Sequence, residues 1–141
     1  MGRIVALDHG EARCGCALSD PTGTLATPLA AVERPDTPAG LSAIVDLVEA
    51  QGVEHVIVGL PLTLAGEEGD QAARAREFAE RLGGRVSIPV ELHDERLTTR
   101  MAERGGEARR PPRGGRPRQG HSDSRAAAHL LESWLARSRA G

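Results

Sequence analysis

Arg3-Ile-Val-Ala-Leu-Asp8-His-Gly10, continuing as Glu11-Ala-Arg13-Cys-Gly-Cys-Ala-Leu-Ser19, is the stretch on which the fold turns. A short apolar run ending in an acid reads as a buried strand, Arg3 to Asp8. Gly10 and Gly15 bracket a turn, and Cys14 to Ser19 reads as a second strand returning alongside the first. Thr24 to Val32 is a weaker third. Pro28 within it has no N–H for a ladder, which suits an edge strand or a bulge. These three segments predict an antiparallel meander.

The pattern then changes period. Thr37-Pro38 predicts a helix start, with Thr37 as N-cap and proline at the first helical position. Leu41, Ile44, Val45 and Val48 recur at helical spacing, and Gly52 ends the run. Val53 to Gly59 is β-branched at its centre and reads as a strand, followed by a stiff Leu60-Pro-Leu62 loop. A second helix is expected over about Glu68 to Leu82, with Ala72, Ala75, Phe78, Ala79 and Leu82 inward. Ser87 to His93 reads as a fifth strand ending at Asp94-Glu95, and Leu97 to Glu103 as a short helix. A last helix is expected from Ser122 through Trp134, burying Ala126, Ala127, Leu130, Leu131, Trp134 and Leu135. The order predicts an α/β protein with a mixed five-stranded sheet, three strands antiparallel and then two parallel, flanked by helices.

Length and charge narrow the function classes. A chain of 141 residues fits one domain. No apolar run is long enough to cross a membrane, no signal peptide is visible, and two cysteines are too few for a disulfide scaffold. Reducing cytosol is therefore the expected location. On a strand, Cys14 and Cys16 would stand roughly 7 Å apart, too far for an easy mutual disulfide. A formal net charge of −2 argues against a protein that coats nucleic acid indiscriminately. That figure conceals an asymmetry: six arginines against Glu107 leave Arg104 to Gly120 at +5 and the remainder at −7. With its prolines and paired glycines, the segment from about 105 to 120 reads as a mobile loop.

Three acids stand at junctions. Asp8 ends the first strand, Glu95 the fifth, and Asp123 falls in the first turn of the last helix. In open α/β sheets ligands collect beyond the strand ends, where three carboxylates would repel one another unless a cation neutralised them. An oxygen cluster suits Mg2+ or Mn2+, and a pair of such ions would clamp both the attacking and leaving oxygens of a phosphodiester. Each acid also has an ordinary alternative: a turn for Asp8, a surface ion pair for Glu95, a favourable helix macrodipole for Asp123. The glycines of Gly10-Glu-Ala-Arg-Cys-Gly15 have P-loop spacing. Cys16 stands where that motif requires lysine, so the motif is rejected. His93 and His121 adjoin the acids and would orient a water or a phosphate, or serve structure alone.

Four segments carry a family resemblance. Ile4-Val-Ala-Leu-Asp8-His-Gly10 with Arg13 and Gly15, Ile57-Val-Gly-Leu-Pro-Leu62, His93-Asp-Glu-Arg-Leu-Thr98 and Ser122-Asp-Ser-Arg-Ala-Ala127 together resemble the YqgF/RuvX family from end to end. The resemblance implies one RNase H-like domain over 1–141, similar in architecture to the RuvC resolvases. It implies a nuclease that either matures the small-subunit ribosomal RNA precursor or resolves Holliday junctions. It also implies that Asp8, Glu95 and Asp123 are both the metal ligands and the catalytic acids. Members commonly carry a lysine shortly before the third acid, where this chain has Gln119-Gly-His121. Phosphate contact would then fall to His121 and to Arg109, Arg110, Arg113, Arg116 and Arg118, with Arg13 and Arg96 as further candidates. Branched DNA with two scissile strands would favour a symmetric homodimer.

Two rivals stand beside that expectation. An acid at the end of a first strand before a glycine turn also opens actin/hexokinase-like ATPases, which need two such domains. The other is a non-catalytic RNA-, ribosome-assembly- or transcription-associated binding module that retains the acids as relics.

Overall fold

The computed structural model describes residues 2–96 and 124–140. The expected Leu97–Glu103 helix, the arginine-rich segment 105–120, His121 and Asp123 lie outside the described residues. Five strands form one sheet: β1 (Arg3–His9), β2 (Arg13–Ser19), β3 (Ala26–Glu33), β4 (Val53–Leu60) and β5 (Val90–Asp94). Their spatial order is β3-β2-β1-β4-β5. β2 runs antiparallel to both β1 and β3, while β4 runs parallel to both β1 and β5. The mixed sheet is thus the one expected, with Pro28 on the edge strand β3.

Alternation along β1 divides the core in two, because successive side chains of a strand point to opposite faces. Val5 and Leu7 join Val56 and Val58 beneath α1 (Pro38–Ala50) and α2 (Asp70–Gly83). Ile4 and Ala6 join Ala17 and Ile57 beneath α3 (Arg125–Ala140). The interior is almost wholly aliphatic, with Phe78 its one fully buried aromatic ring among the described residues. Truncating Phe78 would remove about 3–5 kcal/mol.

The helix ends follow from local chemistry. The Thr37 hydroxyl accepts the Gly40 N–H at 3.1 Å, and Pro38 opens α1 at the position where an amide would be unpaired anyway. α2 buries the five residues its spacing predicts, but it begins at Asp70 instead of Glu68. Glu68 is engaged by Leu62 in an antiparallel bridge that closes the loop after β4. β5 starts at Val90 instead of Ser87, since Pro89 gives no N–H and contributes only its carbonyl, to Val56 N at 2.9 Å.

Two expectations are corrected. The buried stripe of α3 is Ala127, Ala128, Leu130, Leu131 and Leu135, leaving Ala126 exposed and Trp134 half-buried. Contact with β1 and β2 selects the stripe centred on Ala127, Leu131 and Leu135. The Cys14 and Cys16 thiols do not stand apart but influence one another, with Cys14 Sγ donating to the Gly15 carbonyl at 3.7 Å and Cys16 Sγ to the Cys14 carbonyl at 3.5 Å. Both side chains lie on one face of β2, whose pairing with β1 is regular, while the register shift opposite them comes from an extra residue in β3. The contact and burial push the Cys14 thiol up, while hydrogen bonding draws Cys16 down. Neither side chain reaches solvent.

Candidate active site

Asp8 and Glu95 approach each other at the edge of the sheet where β1, β4 and β5 end. Asp8 follows Ile4 and Ala6 on the α3 face and pairs in register with Gly15 of β2. On the other side, Gly59 follows Val58, the register partner of Leu7. Asp8 is therefore flanked by glycine in both neighbouring strands, and the sheet around it is bare of side chains.

Glu95 occupies that bare ground. β5 ends at Asp94, so Glu95 opens the helical turn that follows instead of closing the strand as expected. Its side chain folds back over β4, where a Cβ on Gly59 would overlap the Glu95 carboxylate. Gly59 is thus a requirement of the site. A glycine closing an otherwise β-branched strand is the sequence signal that marks such a close approach.

The two carboxyls share a hydrogen bond. Burial, then the Asp8 hydrogen bond and charge, push Glu95 up to about 8, and burial likewise raises Asp8. Two half-buried carboxylates in contact do not both ionise readily without a counter-charge, so the pair retains a proton near neutrality. The donor set is all oxygen, which fits a hard divalent cation in place of that proton. Among the described residues no third ligand joins them.

The surrounding residues fix this geometry. Arg96 donates to both Asp94 oxygens, Nε at 3.1 and 2.9 Å and Nη2 at 2.7 Å, and holds that carboxyl below its usual range. Asp94 also accepts the Arg96 N–H at 2.9 Å, which braces the turn carrying Glu95. A phosphate would have to compete with Asp94 for this arginine. Arg13, exposed at the start of β2, stands opposite Glu33. His93 is buried against α3, with Nε2 3.1 Å from Ser133 Oγ. Burial and the Arg137 charge hold its imidazole below the usual value. That is the structural role, since its ring points into the packed face.

Two contacts near the acids carry no sequence signal. Ser124 Oγ accepts the Cys16 N–H at 3.0 Å in the buried interface, pinning the start of α3 beside Gly15. His9, next to Asp8 but on the opposite face, packs on Phe78 with ring centroids 4.9 Å apart. Its Nε2 donates to Asp36 at 2.8 and 3.0 Å, tying the end of β1 to the loop before α1.

Comparison with known proteins agrees with this fold. A solved structure of T. thermophilus RuvC in complex with Holliday junction substrate matches with TM-score 0.60 at 16% identity, covering 99% of this chain and 97% of that one. It shows the same RNase H-like fold. A "Putative pre-16S rRNA nuclease" of Rhodococcus erythropolis is 48% identical over 147 residues, covering 99% of this chain and 81% of that protein. Another of that name, from Chloroflexus aurantiacus, is 46% identical over 100 residues; the match covers 71% of this chain and 65% of that protein, under two thirds of its length. The family model described as RuvX: Holliday junction resolvase matches residues 2–137. With a family model matching nearly the whole chain and a relative 48% identical over 99% of it, the chain belongs to the RuvX (YqgF) family.

Proposed function

We propose that this protein is a metal-dependent cytoplasmic nuclease that hydrolyses phosphodiester bonds in the precursor of small-subunit ribosomal RNA. The observation that carries the reading is the contact between Asp8, near the end of β1, and Glu95, just after β5, two half-buried carboxylates at the same sheet edge. Burying two mutually repelling acids is costly unless they bind a cation. The names of the relatives supply the substrate class. A second reading, cleavage of four-way DNA junctions, is favoured by the description of the family model.

Asp8 and Glu95 would hold Mg2+ or Mn2+, with Asp123 as the third ligand. The support for Asp123 is its chain neighbour Ser124, buried and bonded to Cys16 beside Gly15. When bound, such ions supply charge neutralisation and activation of water. The protein's own part is positional. The β1 ladder fixes Asp8, the bare backbone of Gly59 admits Glu95, and the Asp94–Arg96 brace orients the turn. Arg109, Arg110, Arg113, Arg116, Arg118 and His121 are proposed substrate contacts on charge alone.

A cleavage panel of pre-ribosomal RNA, single strands and four-way junctions, with and without manganese, tests this reading. Metal-dependent cutting of the RNA, lost in Asp8→Asn with the fold intact, is the expected result. Asp8→Asn cutting as fast as wild type would refute the site. No cutting of any substrate, with no stabilisation by metal, would favour a binding module.

A further inference from the structure

We propose that Arg34 is a backbone-phosphate-binding residue of the nuclease site; this rests on the function proposed above and extends it. The strand directions place it. β1 ends, β2 begins and β3 ends on one edge of the sheet, and Arg34 follows Glu33, the last residue of β3. It therefore stands on the edge that carries Asp8 and Glu95.

Its backbone is unusual. At φ +48°, Arg34 is the one non-glycine residue with positive φ among those described. A side chain with a Cβ is disfavoured in this region, whereas glycine adopts it freely. The surroundings impose the conformation. Arg34 N–H donates to the Ala12 carbonyl at 2.8 Å, and its own carbonyl accepts Thr37 N–H at 3.1 Å and Thr37 Oγ1 at 2.7 Å. Gly40 lies so close beneath that carbonyl that a Cβ there would overlap it. Pro35 is fully buried, and Asp36 takes the hydrogen bonds from His9, the residue after Asp8. The segment is thus locked to both the β1–β2 turn and the end of β1.

The guanidinium itself is exposed and has no ion pair or side-chain hydrogen bond among the described residues. Arg74, Arg76, Arg81 and Arg96 contrast with it, each paired with a carboxylate. A position that favours glycine therefore carries a cation with no ion pair among the described residues, on a braced loop at the same sheet edge as the acidic pair and tied to the face that carries His9. Strained residues cluster where function over-determines the backbone. The ligand chemistry is a nucleic-acid phosphate, which a guanidinium binds through paired N–H donors.

Arg34→Gly separates the two roles of this residue, since it relieves the backbone while removing the charge. Binding of labelled single-stranded RNA in EDTA, followed by anisotropy over a salt series, is compared with melting temperature. Arg34→Gly is expected to melt higher than wild type yet bind about three- to fivefold more weakly near 0.15 M salt, with the salt slope reduced by about 0.7. Arg34→Lys should retain most of the slope. Arg85→Gly is the charge-matched control. Arg85 follows α2, near the start of β5 on the opposite sheet edge, and is exposed and without an ion pair among the described residues. Unchanged affinity and slope in Arg34→Gly would overturn the inference while leaving the nuclease reading standing. Equal losses in Arg34→Gly and Arg85→Gly would reduce it to net charge and also overturn it. A wild-type protein that neither binds nor cuts nucleic acid would overturn both.

Discussion

Replacing Glu95 by glutamine should make the metal-free protein more stable at pH 8 while abolishing metal-dependent activity. In the native state Glu95 holds its proton up to about pH 8, against an ordinary value of 4.5. Between those limits the folded protein carries a proton that the unfolded chain has released. Unfolding then liberates about one proton, and each pH unit raises the unfolding constant about tenfold. The sign follows from the raised value: the favourable contribution is complete below pH 4.5 and is lost as the pH climbs to about 8. Over the window from pH 5 to 7.5 this amounts to about 3 kcal/mol. The raised Asp8 value acts in the same direction.

A glutamine side chain at this position has nothing to ionise, and its amide donates to an ionised Asp8. Glu95→Gln should therefore match wild type near pH 5 and exceed it by about 3 kcal/mol near pH 8, roughly 10 °C in melting temperature. Urea titrations at successive pH values, with EDTA throughout, provide the measurement. Added Mg2+ or Mn2+ should flatten the wild-type profile, because the cation replaces the proton, and should leave Glu95→Gln unmoved. A wild-type stability that is level from pH 5 to 8, or a variant with the same slope as wild type, would show that the carboxyls do not share a buried site.

Three further predictions concern the supports of the site. Gly59→Ala should cost about 1–3 kcal/mol by overpacking and should lower activity more than tenfold, since the new methyl meets the Glu95 carboxylate; thermal melts and cleavage rates would check it. Ser124→Ala should cost about 1–3 kcal/mol by leaving the buried Cys16 N–H unpaired, while Ser124→Thr retains the acceptor; hydrogen exchange at Cys16 reports the lost bond directly. Both thiols should react with an aromatic disulfide only after denaturation, because neither is exposed; a fast-reacting thiol in the native protein would contradict the packing of β2.

Local periodicity carried much of this fold. α2 buries Ala72, Ala75, Phe78, Ala79 and Leu82 because a single strong helical stripe permits one orientation. The strand order is also legible, since a meander followed by helix-linked strands leaves few ways to assemble a mixed sheet. α3 is different. Its small apolar residues run through Ala126, Ala127 and Ala128, so the pattern alone leaves the rotation of the helix open. Packing on Ile4, Ala6, Ala17 and Ile57 decides it. The extra residue that shifts the register of β3 against β2 is equally invisible in sequence, because only the pairing reveals it.

The site divides along the same line. Asp8 and Glu95 are identifiable as acids at strand ends, but their contact depends on what is absent between them. A side chain at Gly59 would hold the two carboxylates apart, so the deciding residue is the one with no chemistry of its own. The other determinants pair residues far apart in the chain: His9 with Asp36, and Cys16 with Ser124. Each polar group finds its partner only after the sheet has formed, so these contacts follow from the fold and do not help to predict it. They nonetheless determine how firmly the acids are held. Loosening either should relax the acidic pair without altering either carboxylate, and activity should then fall while both remain in the sequence.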